Sequence, residues 1–364
     1  MTIKNLLVVL LTWLGGWSIV VAQTKSSPLD PAGYVLKYDS SFTGIGPKVY
    51  VLPAPRTKKE ELTDIYREIT PFRDSIHKAI RYQKLLSTLI PTSNALAVQY
   101  ILQSTPSDTG HFDALLKKHL QANEHDIAYG ILNEYAKLEL LKKNKDAALA
   151  YLQQGLELAT RLGKIADQTV FQANLATLHI IGRNARDAEK HEAAYYQTAV
   201  NDKNINNQAQ SLIKQAIIHA LDKDYSTAET IIIRKAIPLL NRSKHYAGKI
   251  WAWEMLADIY QAQNKHTEAQ WFLIQARDLA NTHQIEEELA EIEYMLAYSK
   301  YIQRNFNVAR EEFKNAYDLA SKEENQLLKL AIVEKLGNIY LMQNNIQFAD
   351  DMLSEYWSLR TQLL

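Results

Sequence analysis

The sequence contains no cysteine. That excludes disulfides, thiolate metal sites, a cysteine nucleophile and a lipidated cysteine at a lipoprotein cleavage site. Net charge is missing too: Lys+Arg and Asp+Glu both number 41 in 364 residues, so no overall field draws in nucleic acid or an anionic membrane. The densest like-charge run is Glu286-Glu287-Glu288, which reads as a solvated helix start whose negative charge suits the helix dipole. Beyond Ala22 no stretch approaches 18 uninterrupted apolar residues, so no integral membrane segment is expected after signal removal.

Signatures of catalysis are also lacking. There is no phosphate loop, HExxH or GxSxG. Gly44-Ile45-Gly46 lacks the third glycine and strand–helix frame of a dinucleotide site. Asp108-Thr109-Gly110 spells an aspartic-protease triplet but follows Pro106 at a helix start, where Asp acts as a cap. The ten histidines form no cluster with a metal-ligand count. No enzyme, metal or cofactor is expected.

What is present begins with an export signal. Lys4 supplies the positive region, Leu6 to Leu14 the apolar core, and Val20-Val21-Ala22 a cleavage site before Gln23. Residues 1–22 are therefore expected to direct the chain to the periplasm or the outside; the alternative is a retained N-terminal anchor, since the apolar stretch reaches Ala22. Residues 23–57 hold Pro28, Pro31, Gly33, Gly44, Gly46, Pro47, Pro53 and Pro55 and read as an arm or linker. Residues 58–126 read as helical, with a boundary or kink at Pro71.

From about Ile127 a repeat appears. Small residues fall at Ala136, Ala176, Ala216, Ala257, Ala297 and Gly337, in steps of 40, 40, 41, 40 and 40. A second column, twelve residues later, reads Ala148, Ala188, Ala228, Ala269, Ala309 and Ala349, with the same single step of 41. Six units of two helices are implied, with an insertion between the third and fourth. Asn- and Asp-rich turns such as Gly182-Arg183-Asn184 and Gln343-Asn344-Asn345 end one helix and cap the next. Small residues let the two backbones of each unit approach, and a larger side chain there would cost about 1–3 kcal/mol in strain.

Leu256-Ala257-Asp258-Ile259-Tyr260 and Leu336-Gly337-Asn338-Ile339-Tyr340, followed by Ala269 and Ala349 in the second helix, resemble the tetratricopeptide pattern. A third small residue appears at Gly155, Ala276 and Ala316 but fails at Tyr195 and Tyr356. The period exceeds the family's 34 residues, and the closing proline is absent. The resemblance implies an all-α fold: a right-handed α-solenoid of six two-helix repeats over 127–364. The N-terminal helical region before it acts as a cap and is able to hold one degenerate repeat. Longer repeats of this kind are similar to those of bacterial peptide-sensing regulators.

The same resemblance implies a concave groove lined by the first helix of each unit, which picks out Asn133, Lys137, Thr177, Trp251, Glu254, Asp258, Tyr294, Tyr298, Tyr301, Glu334 and Asn338. In the fourth and fifth units these positions turn aromatic and acidic. Tyr294, Tyr298 and Tyr301 share one helix stripe at i, i+4, i+7, with Met295 and Leu296 supplying the core-facing pair. The expected partner site is Trp251, Glu254, Asp258, Tyr294, Tyr298 and Tyr301; the bland alternative is that each ring packs on its neighbour. His179 and His219 occupy the column of Tyr260 and Tyr340 and read as planar side chains packed between helices. The function expected is a protein-interaction scaffold for a partner protein or peptide. The alternative is a ligand-sensing subunit that signals to a separate kinase or regulator.

Overall fold

Among the described residues, eleven with positive φ punctuate the chain: Asn123, Gly163, Arg183, Lys203, Lys223, Lys244, Asn264, Gln284, Arg304, Glu324 and Asn344. They recur about every twenty residues, and each ends one helix so that the next can reverse direction. Only one of them is glycine. In the turns that were read from sequence, the Asn or Asp usually sits one step later, at the N-cap. Asn144, Asn184, Asn204, Asp224 and Asn325 each accept a hydrogen bond from a backbone N–H of the first turn.

The computed structural model describes residues 56–103, 109–142 and 144–363. The export signal and most of the 23–57 arm lie outside the described residues, as does Asp108. The described helices are α1 (Lys58–Ile69), α2 (Arg73–Ser87), α3 (Ala95–Gln103) and α4 (Thr109–Gln121), followed by six hairpins. The hairpins pair α5 (His125–Leu141) with α6 (Lys145–Arg161), and α7 (Ile165–Ile181) with α8 (Ala185–Asn201). In the third, α9 (Ile205–Leu221) pairs with a broken helix made of α10 (Tyr225–Ile231), a π-turn (Ile232–Ala236) and α11 (Ile237–Ser243). The last three pair α12 (Tyr246–Ala262) with α13 (His266–His283), α14 (Leu289–Ile302) with α15 (Phe306–Lys322), and α16 (Gln326–Met342) with α17 (Ile346–Leu363). The fold is an all-α solenoid of helical hairpins. No described helix is long and apolar enough to cross a membrane.

Both small-residue columns lie at the crossings within hairpins. Every alanine in them is at most 1% exposed, and Gly337 is buried. The step of 41 has a local cause. A π-turn accommodates one extra residue in a helix, and the turn at Ile232–Ala236 does so within the third hairpin's second helix rather than between hairpins. The Ile237 N–H reaches back to the Ile232 carbonyl, and Pro238, which has no N–H to lose, follows directly. Seven residues past each second-column alanine, the buried position would fall on Lys235; the insertion moves it to Ala236, which is fully buried.

Helices α3 and α4 pack on α5 and close the start of the array. Helices α1 and α2 do something else. They run back across the array, from the last hairpin to the second.

Candidate functional site: the inner face of the array and the segment that fills it

Helix α1 starts at a capping box in which the Thr57 hydroxyl accepts from the Glu60 N–H and the Glu60 carboxylate accepts from the Thr57 N–H. Its buried face is Leu62, Tyr66 and Ile69. That face rests on the last hairpin: the Tyr66 hydroxyl donates to the Ala349 carbonyl at 2.8 Å, and Lys58 pairs with Asp350 at 3.0 Å. A Cβ added to Gly337 would lie 1.7 Å from the Tyr66 Oη. The column is glycine at this one hairpin because Tyr66 occupies the space that an alanine would need.

Helix α2 carries His77, Arg81 and Lys84 at i, i+4, i+7, a single stripe on one face. The stripe faces the fourth and fifth hairpins. His77 Nε2 is 2.9 Å from the Tyr294 hydroxyl, and its ring packs edge-on against Tyr298 at 4.7 Å. Arg81 donates to Asp258 at 2.8 Å. Lys84 donates to Glu254, to Glu288 at 3.1 Å and to Glu291 at 3.4 Å. Burial works against the Lys84 charge, but Glu254, Glu291 and Glu288 outweigh it and keep its pKa well above the usual lysine range. Glu254, with a fully buried side chain, is pushed well up by that burial and by the neighbouring carboxylates. Its Oε1 is buried with no hydrogen-bond partner. Glu254, Glu288 and Glu291 are the one group of described residues close enough together to hold a metal ion, and the Lys84 ammonium supplies the cation there.

Past α2 the chain is held by its backbone. Asn174, on α7, accepts from the Ile90 N–H at 2.8 Å and donates to the Ile90 carbonyl at 2.8 Å. Asn133, on α5, reaches the same carbonyl at 3.3 Å and accepts from Asn174 at 2.9 Å. Both asparagines are buried. Asp167, also buried, accepts from the Ser93 N–H and hydroxyl at 2.8 Å and from the Tyr129 hydroxyl at 2.7 Å. Residues 58–94 thus thread the inner face from the sixth hairpin to the first.

This geometry places the six residues read from sequence as follows. Glu254, Asp258, Tyr294 and Tyr298 come together, under α2. Trp251 is half-buried beside them and lines an open cavity of about 250 Å³ with Tyr82, Leu85, Met255, Ile180 and Ile217. Tyr301 lies apart, against Phe306 and Phe313 at 5.8 and 6.5 Å. The tyrosine stripe expected to be dispensable for packing is not: Tyr294 is 2% and Tyr301 9% exposed, because α2 and the fifth hairpin's second helix cover them. Of the other groove positions, Asn133 holds Ile90, Thr177 is buried and accepts from Lys214 at 2.8 Å, and Lys137 pairs with Glu134 at 2.6 Å. Glu334 is buried against Lys335, and Asn338 is half-buried. The Glu286–Glu288 run is a short 3-10 turn, and Glu288 joins the Lys84 cluster instead of being merely solvated. Three of the four planar-column residues stack within their hairpins, His179 on His191, Tyr260 on Phe272 and Tyr340 on Phe348; the fourth, His219, lies 3.3 Å from Asp224 at the turn.

Sequence reasoning missed the other half of the site: Tyr66, His77, Arg81, Lys84, Asn174 and Asp167. One signal was legible, the basic stripe at 77, 81 and 84, which is complementary to the acidic stripe already noted.

No protein-family model matches the chain, and no curated protein matches it in sequence. Solved structures share its fold. A signal-transduction ATPase with numerous domains from Pyrococcus horikoshii, described as having a tetratricopeptide repeat sensor, superposes with a TM-score of 0.56 at 12% identity, over 82% of this chain and 46% of that one. BtubC (BKLC) from P. vanneervenii gives 0.52 at 14% identity, over 58% of this chain and 89% of that one. The quorum sensor NprR from B. thuringiensis, in its apo form, gives 0.50 at 12% identity, over 84% and 98%. At such identities the likeness is one of fold: a tetratricopeptide-like helical repeat.

Proposed function

We propose that this chain is an exported, non-catalytic interaction scaffold that holds a partner protein or peptide on the inner face of its helical array. The observation that carries the reading is that this face already holds polypeptide. Asn174 donates to and accepts from the main chain of one residue, Ile90, a contact that grips backbone whatever the side chain. Around it, buried aromatic and acidic side chains supply area and orientation. Two of the fold neighbours are themselves described as sensors. Together with a segment of this chain lying on the same face, this favours as a second reading a subunit in which partner binding moves residues 58–94 and a separate protein reads the change. Export rests on the Lys4 to Ala22 pattern.

A photo-cross-linking residue placed at Trp251, on the inner face, should trap a discrete partner in cells, whereas one at the exposed Trp271 should not. Equal trapping at both positions, or trapping at Trp271 alone, would sink the inner-face reading. Amino-terminal sequencing of exported protein should begin at Gln23; a chain starting near Met1 in the membrane pellet would refute the cleavage.

A further inference from the structure

Helix α2 neutralises its wall incompletely. Four carboxylates face it (Glu254, Asp258, Glu288 and Glu291), and it meets them with two permanent cations, Arg81 and Lys84. One oxygen of Glu254, in a side chain with no solvent exposure, has no hydrogen-bond partner at all. Burial and mutual repulsion also raise the pKa of Glu291, and Glu323 behind it is pushed up to about 7 by burial and by Glu288, Glu291 and Glu287. Beside α2 the wall opens onto the 250 Å³ cavity, which Trp251, Asp258 and Glu291 line together with Lys78, Arg81 and Lys84 of α2 and with Arg183. The resident helix is a ligand of the right kind with too little positive charge.

We propose that the wall formed by α12 and α14 is a docking site for a cationic amphipathic helix of a partner protein, with basic residues at i, i+4 and i+7, and that α2 is the placeholder this helix replaces. The proposal rests on the inner-face reading above and adds the chemistry of the partner. It follows from the pairing on the page. An aromatic-and-acid stripe spaced by helix turns fits a helix whose basic stripe has the same spacing. A helix with more positive charge than α2 complements the excess carboxylates better than α2 does. Because α2 is tethered, the incoming helix competes with a segment at high effective concentration, so its apparent affinity is reduced by the fraction of chains with the wall covered.

The experiment uses the full chain and fluorescein-labelled synthetic helices read by anisotropy. One probe carries the sequence of residues 73–90, a second carries Gln83→Lys in that sequence, and a third carries Arg81→Glu and Lys84→Glu. Arg81→Gln in the full chain, at a half-exposed position that leaves Lys84 in place, should tighten binding of the first probe at least tenfold over the unaltered chain. The second probe should bind more tightly than the first and lose affinity steeply with salt; the third should bind to neither chain. Glu254→Gln with Asp258→Asn should abolish binding while far-UV circular dichroism stays helical. Hydrogen exchange in the unaltered chain gives a reading that needs no variant: saturating second probe should deprotect residues 76–85. The proposal falls if a helical Arg81→Gln chain ignores both basic probes, or binds the acidic probe equally well. It falls too if that chain forms a dimer by exchanging residues 58–94 between copies, since the occupant is then a second copy. If the basic probes fail while Trp251 still cross-links a partner in cells, the inner-face scaffold stands and the cationic helix is refuted.

Discussion

Replacing Gly337 by Ala tests the placement of α1 by sign rather than by size. On helix propensity alone the change should stabilise: Gly337 lies in the interior of α16, where alanine is better by about 1 kcal/mol. The five equivalent positions in the column are all alanine, so the hairpin crossing tolerates the methyl group. The obstacle is Tyr66, because the new Cβ would lie 1.7 Å from its Oη and 2.5 Å from its Cζ. Tyr66 is 2% exposed and donates to the Ala349 carbonyl at 2.8 Å. Moving it costs about 1–3 kcal/mol in overpacking and about 1–3 kcal/mol for the buried hydrogen bond. Set against the propensity gain, the net loss is about 1–5 kcal/mol. The loss has a ceiling, since α1 is able to lift off and then forfeits only what its docking contributes. Native-state hydrogen exchange should therefore show residues 58–69 deprotected before the hairpins. Tyr66→Ala removes the obstacle, so in that background Gly337→Ala should become neutral or stabilising. A single Gly337→Ala chain more stable than the parent in urea would show that α1 does not rest on α16, and the path assigned to residues 58–94 would be wrong.

Asn174→Ala should raise hydrogen exchange at Ile90 and destabilise by about 1–3 kcal/mol, since the Ile90 N–H loses its partner and its carbonyl keeps only Asn133; unchanged protection at Ile90 refutes the clamp. Lys84→Met should cost about 3–5 kcal/mol at pH 8 by stranding buried carboxylates, and urea midpoints should show the deficit shrinking towards pH 5 as Glu254 and Glu291 take up protons; a deficit that grows instead refutes the electrostatic account. Glu323, raised to about 7 by burial first and then by Glu288, Glu291 and Glu287, contributes stability below its unfolded value of 4.5 and loses it as pH rises through 7. Melting curves between pH 5 and 8 should thus be flatter for Glu323→Gln than for the parent. Lys203, at φ 54, should gain about 0.5–1 kcal/mol of stability on replacement by Gly, and a loss in the same melts would show that its side chain does more than sit in the turn.

The array was legible because its signals are local and repeated. A crossing that needs a small residue recurs every 40 positions, and a helix end that needs a polar turn recurs every 20, so chance is excluded by repetition. The third unit is where spacing alone is insufficient. Sequence spacing located the extra residue only between Ala228 and Ala257. Placing it in the π-turn required the backbone, because what marks it is a shift of the buried position from Lys235 to Ala236 beside Pro238. Both α and π segments satisfy the same apolar pattern over so short a span.

Half of the site was legible for a different reason, and the other half was hidden by how the sequence was divided. A solenoid groove leaves one side of each first helix open to solvent, and the burial of α16 is inconsistent with that. In α16 every residue from Leu330 to Gly337 is buried, whereas α15 buries only the single stripe Ala309, Phe313, Ala316 and Ala320. A helix buried all round has a neighbour on every side, yet a hairpin in a solenoid supplies neighbours on three sides at most. The fourth neighbour had to be some other part of the chain or another molecule. Residues 58–90 were the obvious supply: two consecutive helices with no repeat signature, one of them carrying His77, Arg81 and Lys84 at the spacing of Glu254, Asp258 and the tyrosines. Read as a terminal cap, that segment had no reason to be basic along one face. Read as the filling of the groove, its charge and spacing both follow, and so does the glycine at 337. That residue breaks an alanine column for the sake of a tyrosine 271 positions away.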